Sequence, residues 1–107
     1  MDLKQYFIVW VNLDPTLGSE IKKTRPCLII SPDEINRHLN TIVIAPITSA
    51  SKNYPTRIEI KSEKITGWIV LDQIRTVDKK RITGTEYKIS SELISEVKSV
   101  LKETYVD

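Results

Sequence analysis

Hydrophobic and polar positions divide the chain into short apolar runs separated by turn residues, which is the pattern of a small β protein. Phe7–Leu13, FIVWVNL, is β-branched and aromatic and predicts a first strand. Asp14 to Ser19 ends it with turn residues, and the polar loop continues through Lys22 and Lys23 to Arg25. Pro26–Ile30 predicts a second strand, with proline tolerated at its first position. Ser31-Pro32-Asp33-Glu34 reads as a capping box opening a short helical turn to about Arg37. Thr41–Ile47, TIVIAPI, is a third strand and 48–55 a polar loop. Thr56–Ile60 alternates as a half-buried strand does, and Gly67–Ile74 is a further apolar strand. Val77–Arg81 reads as one charged helical turn and Ile82–Ile89 as a last, weaker strand. Ser90 then caps a helix whose Leu93, Val97, Val100 and Leu101 share one face.

Five or six strands follow one another without the long crossovers that a parallel sheet requires. The expected fold class is therefore mainly β with α: a small antiparallel sheet curled into a barrel, with the C-terminal helix packed on it. At 107 residues the chain is expected to be a single domain, 1–107, with no linker or repeat. So short a chain leaves much of its surface exposed, which keeps dimer formation in view. No apolar run approaches the roughly 20 residues of a bilayer span. The N-terminal stretch reads as a strand and not a signal peptide. A lone Cys27 inside an apolar run reads as a small core residue, consistent with a reducing cytoplasm.

Charge adds little as a total. The net value of +2, from 16 basic and 14 acidic residues, is too mild to argue for nucleic acid by itself. The basic residues do cluster locally, at Lys22–Arg25 and at Lys79–Arg81. The familiar catalytic signatures are absent: no paired CxxC, no HExxH and no phosphate-cradling glycine loop. His38 is the only histidine, just after the capped turn, where a surface role is expected. No cluster of metal ligands is visible. What remains is arginine, lysine, hydroxyl and amide chemistry. Arg25 stands at the entrance to the second strand and Thr48-Ser49 at the exit of the third. On local grounds Arg25 is either a solvated strand edge or part of a site, and Thr48 either a self-satisfied strand terminus or its partner.

The ordered run VWVNLDPTLGSEIKKTRPCLIISPDEIN resembles the opening of MazF/PemK-type toxins. Downstream, Pro46-Ile47-Thr48-Ser49, Gly67, Asp72-Gln73-Ile74-Arg75-Thr76 and Asp78-Lys79-Lys80-Arg81 also match, so the resemblance spans nearly the whole chain in order. It implies an SH3-like barrel with a C-terminal helix, a homodimer, and metal-independent, sequence-dependent cleavage of single-stranded RNA. It also implies a cognate antitoxin whose extended acidic segment occupies the RNA groove. Arg25 and Thr48 become the leading catalytic residues. Ser19, Glu20 and Gln73 are expected along the substrate groove, with Ser49 in a base-reading loop and Lys22, Lys23 and Arg57 as phosphate contacts.

The chain departs from the family in two places. Tyr6-Phe7 stand where the first strand often begins Gly-Asp. Ser19 and Val70 stand where some PemK-branch members carry histidine and arginine. The acid–base scheme pairing that arginine with the aspartate at position 72 cannot be carried over, so Asp72 is expected to be a structural hydrogen-bonding residue. Two competing readings are a non-catalytic gyrase poison on the same barrel, like CcdB, and a plain SH3-like binding module. The chain lacks the tryptophan-bearing tail of the first, its tryptophans being Trp10 and Trp68.

Overall fold

The computed structural model describes residues 2–13 and 24–107. The expected site residues Ser19, Glu20, Lys22 and Lys23 lie outside the described residues. The described residues contain seven strands: β1 Phe7–Asn12, β2 Thr24–Ile29, β3 Thr41–Thr48, β4 Arg57–Lys61, β5 Thr66–Val70, β6 Arg75–Asp78 and β7 Ile82–Lys88. Helix α1, Asp33–His38, joins β2 to β3, and α2, Ser91–Leu101, follows β7. All pairs are antiparallel, in the order β4-β5-β3-β2-β1-β7, with β6 added to β3.

No backbone pairing joins β4 to β7, the two ends of this order. Side chains bridge the seam instead. Tyr87 Oη donates to Ser62 Oγ at 2.6 Å, and Lys64 Nζ lies 3.6 Å from Glu86 Oε1. Glu86 also accepts from Trp10 Nε1 at 2.8 Å. The sheet is thus barrel-like without being closed, and polar contacts tie β7 to the turn between β4 and β5.

The apolar runs are explained by burial on both faces. Cys27, Leu28 and Ile29 are each fully buried, because alternate residues feed different clusters. Leu28 joins Ile8, Ala45, Ile47, Ile69 and Val97, against which Leu93, Ile94, Val100 and Leu101 of α2 pack. Cys27 and Ile29 join Val9, Val11, Ile42, Ile44 and Val77. Ser90 caps α2 as expected, its side chain accepting from Leu93 N at 3.2 Å.

Three expectations require correction. The stretch expected as one strand from Gly67 to Ile74 is β5 followed by a 3₁₀ turn, Leu71–Gln73. The stretch expected as a charged helical turn is strand β6 running into a 3₁₀ turn, Lys79–Arg81. Asp78 accepts from Lys80 N at 2.8 Å and starts that turn. The capping box is not formed either. Pro32 occupies the cap position without a side-chain bond, and Ser31 is buried. The Ser31 hydroxyl is drawn inward, accepting from Val43 N at 3.0 Å and donating to Asn36 Oδ1. Asn36 Nδ2 returns a bond to Ser31 O at 2.8 Å, and Lys79 Nζ donates to Asn36 O. The serine therefore fastens α1 to β3, which satisfies two buried polar side chains at once.

Tyr6 has φ of 68°, the only positive value outside glycine among the described residues. It is the position where the resembling family often has glycine. The conformation is imposed by bonds on both sides: Tyr6 N donates to Ile29 O at 2.8 Å and Tyr6 O accepts from Ile89 N at 3.1 Å. The ring packs on the core and its hydroxyl pKa is raised by burial. A Cβ in the left-handed region costs about 1–2 kcal/mol. Tyr6→Ala, which keeps the strain and loses the ring, should therefore be less stable than Tyr6→Gly by roughly 1 kcal/mol. Urea denaturation of the two variants checks this reversal of the usual alanine-over-glycine order.

Candidate active site

Strand β3 lies between the strands that carry Arg25 and Arg57. Its Ile44, Ala45 and Pro46 pair with Ile29, Leu28 and Cys27 of β2. This pairing ends at Cys27 and Pro46, two residues short of Arg25 and Thr48. On its other edge β3 pairs Thr48 with Trp68 of β5, and β5 in turn pairs Trp68 with Glu59 of β4. Register partners present their side chains to the same face. The result is one row across three strands: Thr48, Trp68, Glu59. The next row inward, Ile47, Ile69 and Ile58, is buried, as strand alternation requires.

Arg25 is exposed, and among the described residues its guanidinium has no hydrogen bond or ion pair. Thr48 Oγ1 donates to Ala50 O at 3.1 Å, which turns the loop after β3. Ser49 is exposed within that loop. The loop's far end is held by Arg57, whose Nη1 donates to Ser51 Oγ at 2.8 Å. The other side of that guanidinium meets Asp72, with Nε 3.3 Å from Oδ1 and Nη2 3.4 Å from Oδ2. Its carbon lies 4.9 Å from the centre of the Tyr54 ring. Thr56 Oγ1 also donates to Asp72, at 2.9 Å. Asp72 thus acts as a structural acceptor, and Gln73 sits exposed beside it at the end of the 3₁₀ turn. Thr48 and Ser49 therefore open one loop that Arg57 holds.

Electrostatics separates the ionisable groups by role. The hydrogen bonds from Arg57 hold the Asp72 carboxyl below its usual range, with a smaller contribution from Thr56. Burial pushes the Cys27 thiol up to about 12, although the fields of Arg75 and Arg25 oppose it. Cys27 is thus protonated at neutral pH and no nucleophile. Among the described residues, no three of histidine, cysteine, aspartate and glutamate cluster as metal ligands would.

Sequence reasoning did not select three residues that the fold places here. Arg75 pairs with Ile44, is exposed, and has no partner among the described residues. Trp68 is the direct cross-strand neighbour of Thr48. Gly67 has its backbone so close to β3 that a Cβ there would stand 2.4 Å from Thr48 O. Only the strand register reveals these placements. A glycine opening an apolar strand was the one signal in the sequence, since such glycines often mark close backbone approach.

A model of the PemK-like, MazF-like toxin family of type II toxin–antitoxin systems matches residues 4–105, and the chain belongs to that family. It is 32% identical over 108 aligned residues to endoribonuclease EndoA of Bacillus subtilis (strain 168), covering 95% of this chain and 93% of that protein. It is 31% identical over 70 residues to the endoribonuclease toxin MazF of Escherichia coli (strain K12), covering 65% of this chain and 63% of that protein. Among solved structures, MazF of Deinococcus radiodurans superposes with a TM-score of 0.81 at 25% identity, over 96% of both chains. An endoribonuclease in complex with its cognate antitoxin, from Mycobacterial species, shares the fold with a TM-score of 0.79 at 20% identity, over 94% of this chain and 92% of that one. No helix among the described residues is long and apolar enough to cross a membrane.

Two outcomes follow from this geometry. Gly67→Ala must displace the Thr48 carbonyl, a backbone atom, and should cost roughly 1–3 kcal/mol in stability, measured by chemical denaturation. Asp72 has a depressed folded pKa, so its contribution to stability is present above the unfolded value of about 3.9. That contribution is lost as pH falls through the lower folded value. Acid titrations followed by circular dichroism should show a shallower acid limb for Asp72→Asn than for the parent chain.

Proposed function

We propose that this toxin is a metal-independent, sequence-specific endoribonuclease of single-stranded RNA in which Arg25 and Thr48 act on the scissile phosphate. What supports the assignment is an exposed Arg25, without a hydrogen-bond or ion-pair partner among the described residues, on the strand that pairs with Thr48's own, in a chain whose relatives are named endoribonucleases. The gyrase-poison alternative has no comparable support.

RNA supplies its own nucleophile, the 2′-hydroxyl. Attack in line with the 5′-oxygen forms the bond from O2′ to phosphorus and breaks the bond to O5′. The products are a 2′,3′-cyclic phosphate and a 5′-hydroxyl. Negative charge accumulates on the non-bridging oxygens as phosphorus becomes five-coordinate. Arg25 suits that charge because its planar fork meets phosphate with two parallel N–H donors. It is held on a strand, so little reorganisation is needed as the charge develops. The Thr48 hydroxyl donates to the same phosphate after exchanging its bond to Ala50 O. Neither residue suits the role of base: arginine stays protonated, with a pKa above about 12. Asp72 is engaged by Arg57 and Thr56, which leaves the proton acceptor unassigned.

Ser19, Glu20 and Gln73 line the groove in this reading, and Ser49 reads a splayed base from the loop after β3. Lys22 and Lys23 meet flanking phosphates. Arg57 uses three of its five N–H donors on Ser51 and Asp72, which leaves two for a phosphate. The working form is a homodimer in the cytoplasm, neutralised by a cognate antitoxin that lays an extended acidic segment along the same cations.

The decisive experiment incubates the purified protein with a mixed RNA pool in EDTA and sequences the new ends. Cyclic phosphate ends at a recurring sequence are expected; intact RNA would sink the reading. Arg25→Ala and Thr48→Ala should each lower the cleavage rate by roughly 10²–10³-fold while the fold is kept. Binding of RNA by the Arg25→Ala variant should still weaken steeply with added salt, as counterion release at the remaining cations requires. A flat salt response would remove Lys22, Lys23 and Arg57 as phosphate contacts.

A further inference from the structure

The two tryptophans of this chain are used in opposite ways. Trp10 packs against the core, and its Nε1 donates to Glu86 at 2.8 Å. Trp68 belongs to neither apolar cluster, and among the described residues its indole N–H has no partner. It is half-buried, on the face of β5 that also carries Thr48's side of the sheet, and it is Thr48's direct cross-strand neighbour. Directly opposed side chains in antiparallel strands have Cβ atoms about 4.5–5.5 Å apart. An indole at that distance from a group acting on a phosphate lies one nucleotide's reach from the cut.

A strand position on a solvated face is a poor place for so large an apolar side chain without a reason. Removing a half-exposed indole from water gains free energy only when something covers it. The charge pattern around it says what does. Arg25 stands at the start of β2, on the other side of β3, and Arg57 with the Tyr54 ring over it stands on β4, two residues from Glu59, the cross-strand neighbour of Trp68. Cations interleaved with aromatic faces are the arrangement that holds single-stranded nucleic acid: the cations track the backbone and the rings stack on bases.

We propose that Trp68 is a stacking platform for the nucleobase next to the cleaved phosphate, and so a positioning residue that fixes the substrate strand for the Arg25–Thr48 pair. The inference rests on the endoribonuclease reading and adds to it a substrate-binding residue outside the expected set. Stacking tolerates any base, because each has a π face. The contribution of Trp68 therefore goes to the rate at every cut site and not to the choice among them.

The test has two readouts. In the first, cleavage of a mixed RNA pool is timed for the parent chain, Trp68→Phe and Trp68→Leu. Stacking predicts that Trp68→Leu falls roughly 10–100-fold while Trp68→Phe stays within about threefold, with the distribution of cut sites unchanged. In the second, a 2′-deoxy oligonucleotide, which lacks the nucleophile, is titrated while tryptophan emission is followed. Quenching is expected in the parent chain and not in Trp68→Phe, where only the core-packed Trp10 remains. Equal rates in all three proteins would overturn the inference. So would a loss in Trp68→Leu that Trp68→Phe shares, or one that follows a drop in thermal stability, since either marks a structural role. A parent chain that cleaves no RNA would remove the endoribonuclease reading itself, and the platform with it.

Discussion

Strand β3 divides one of its edges between two partners, and the rest of the molecule follows from that division. Thr41–Ile44 pair with β6, while Ile47 and Thr48 pair with β5. Pro46, which has no N–H to donate, stands just before the transition. The 3₁₀ turn Leu71–Gln73 links the two partner strands and is tied to β4's approach by Leu71 N to Thr56 O at 3.1 Å. Had β5 and β6 been one continuous strand, a single register would have run along this edge. The exchange of partners lets the end of β3 turn toward β5 and sets Thr48 against Trp68. Gly67 is the steric condition for it, since only a residue without a Cβ fits against the Thr48 carbonyl.

The same point marks where the sequence ceased to be readable. Strands β1 to β4, the capped α2 and the buried Cys27 are expressed in local pattern: alternation, β-branching, a serine before a periodic run. The break at Leu71 is not, because GWIVLDQI remains apolar through the 3₁₀ turn and satisfies a strand template throughout. The Ser31 capping box failed for a related reason. Its residue types suit a helix start, but a part-buried donor, Val43 N–H, and an acceptor, Asn36 Oδ1, engage the hydroxyl instead, and tertiary partners are invisible in a four-residue window. Arg25 and Thr48 were selected from resemblance and strand ends. That their strands are neighbours needs the β2–β3 pairing, and Trp68 needs the β3–β5 register as well.

Tyr6 shows how a departure from family pattern is accommodated. Where glycine would adopt a left-handed backbone freely, this chain keeps the conformation, since both neighbouring strands hydrogen-bond to the residue, and offsets the strain by packing the ring on the core. The fold constraint thus belongs to the backbone position and not to the residue type.

The arginines of the site divide along similar lines. Arg57 is fixed by Asp72, Ser51 and Tyr54, so its charge is largely spent on holding the loop after β3. Arg25 and Arg75 have no carboxylate partner among the described residues, and Arg75 stands opposite Ile44, whose cluster includes Cys27. A cation without an internal counter-charge retains its full attraction for an incoming anion, whereas one already paired must share it. A net charge of only +2 is therefore compatible with a strongly anion-seeking rim. What matters is which arginines lack a partner, and among the described residues Arg25 and Arg75 do so on the two strands, β2 and β6, that pair with β3.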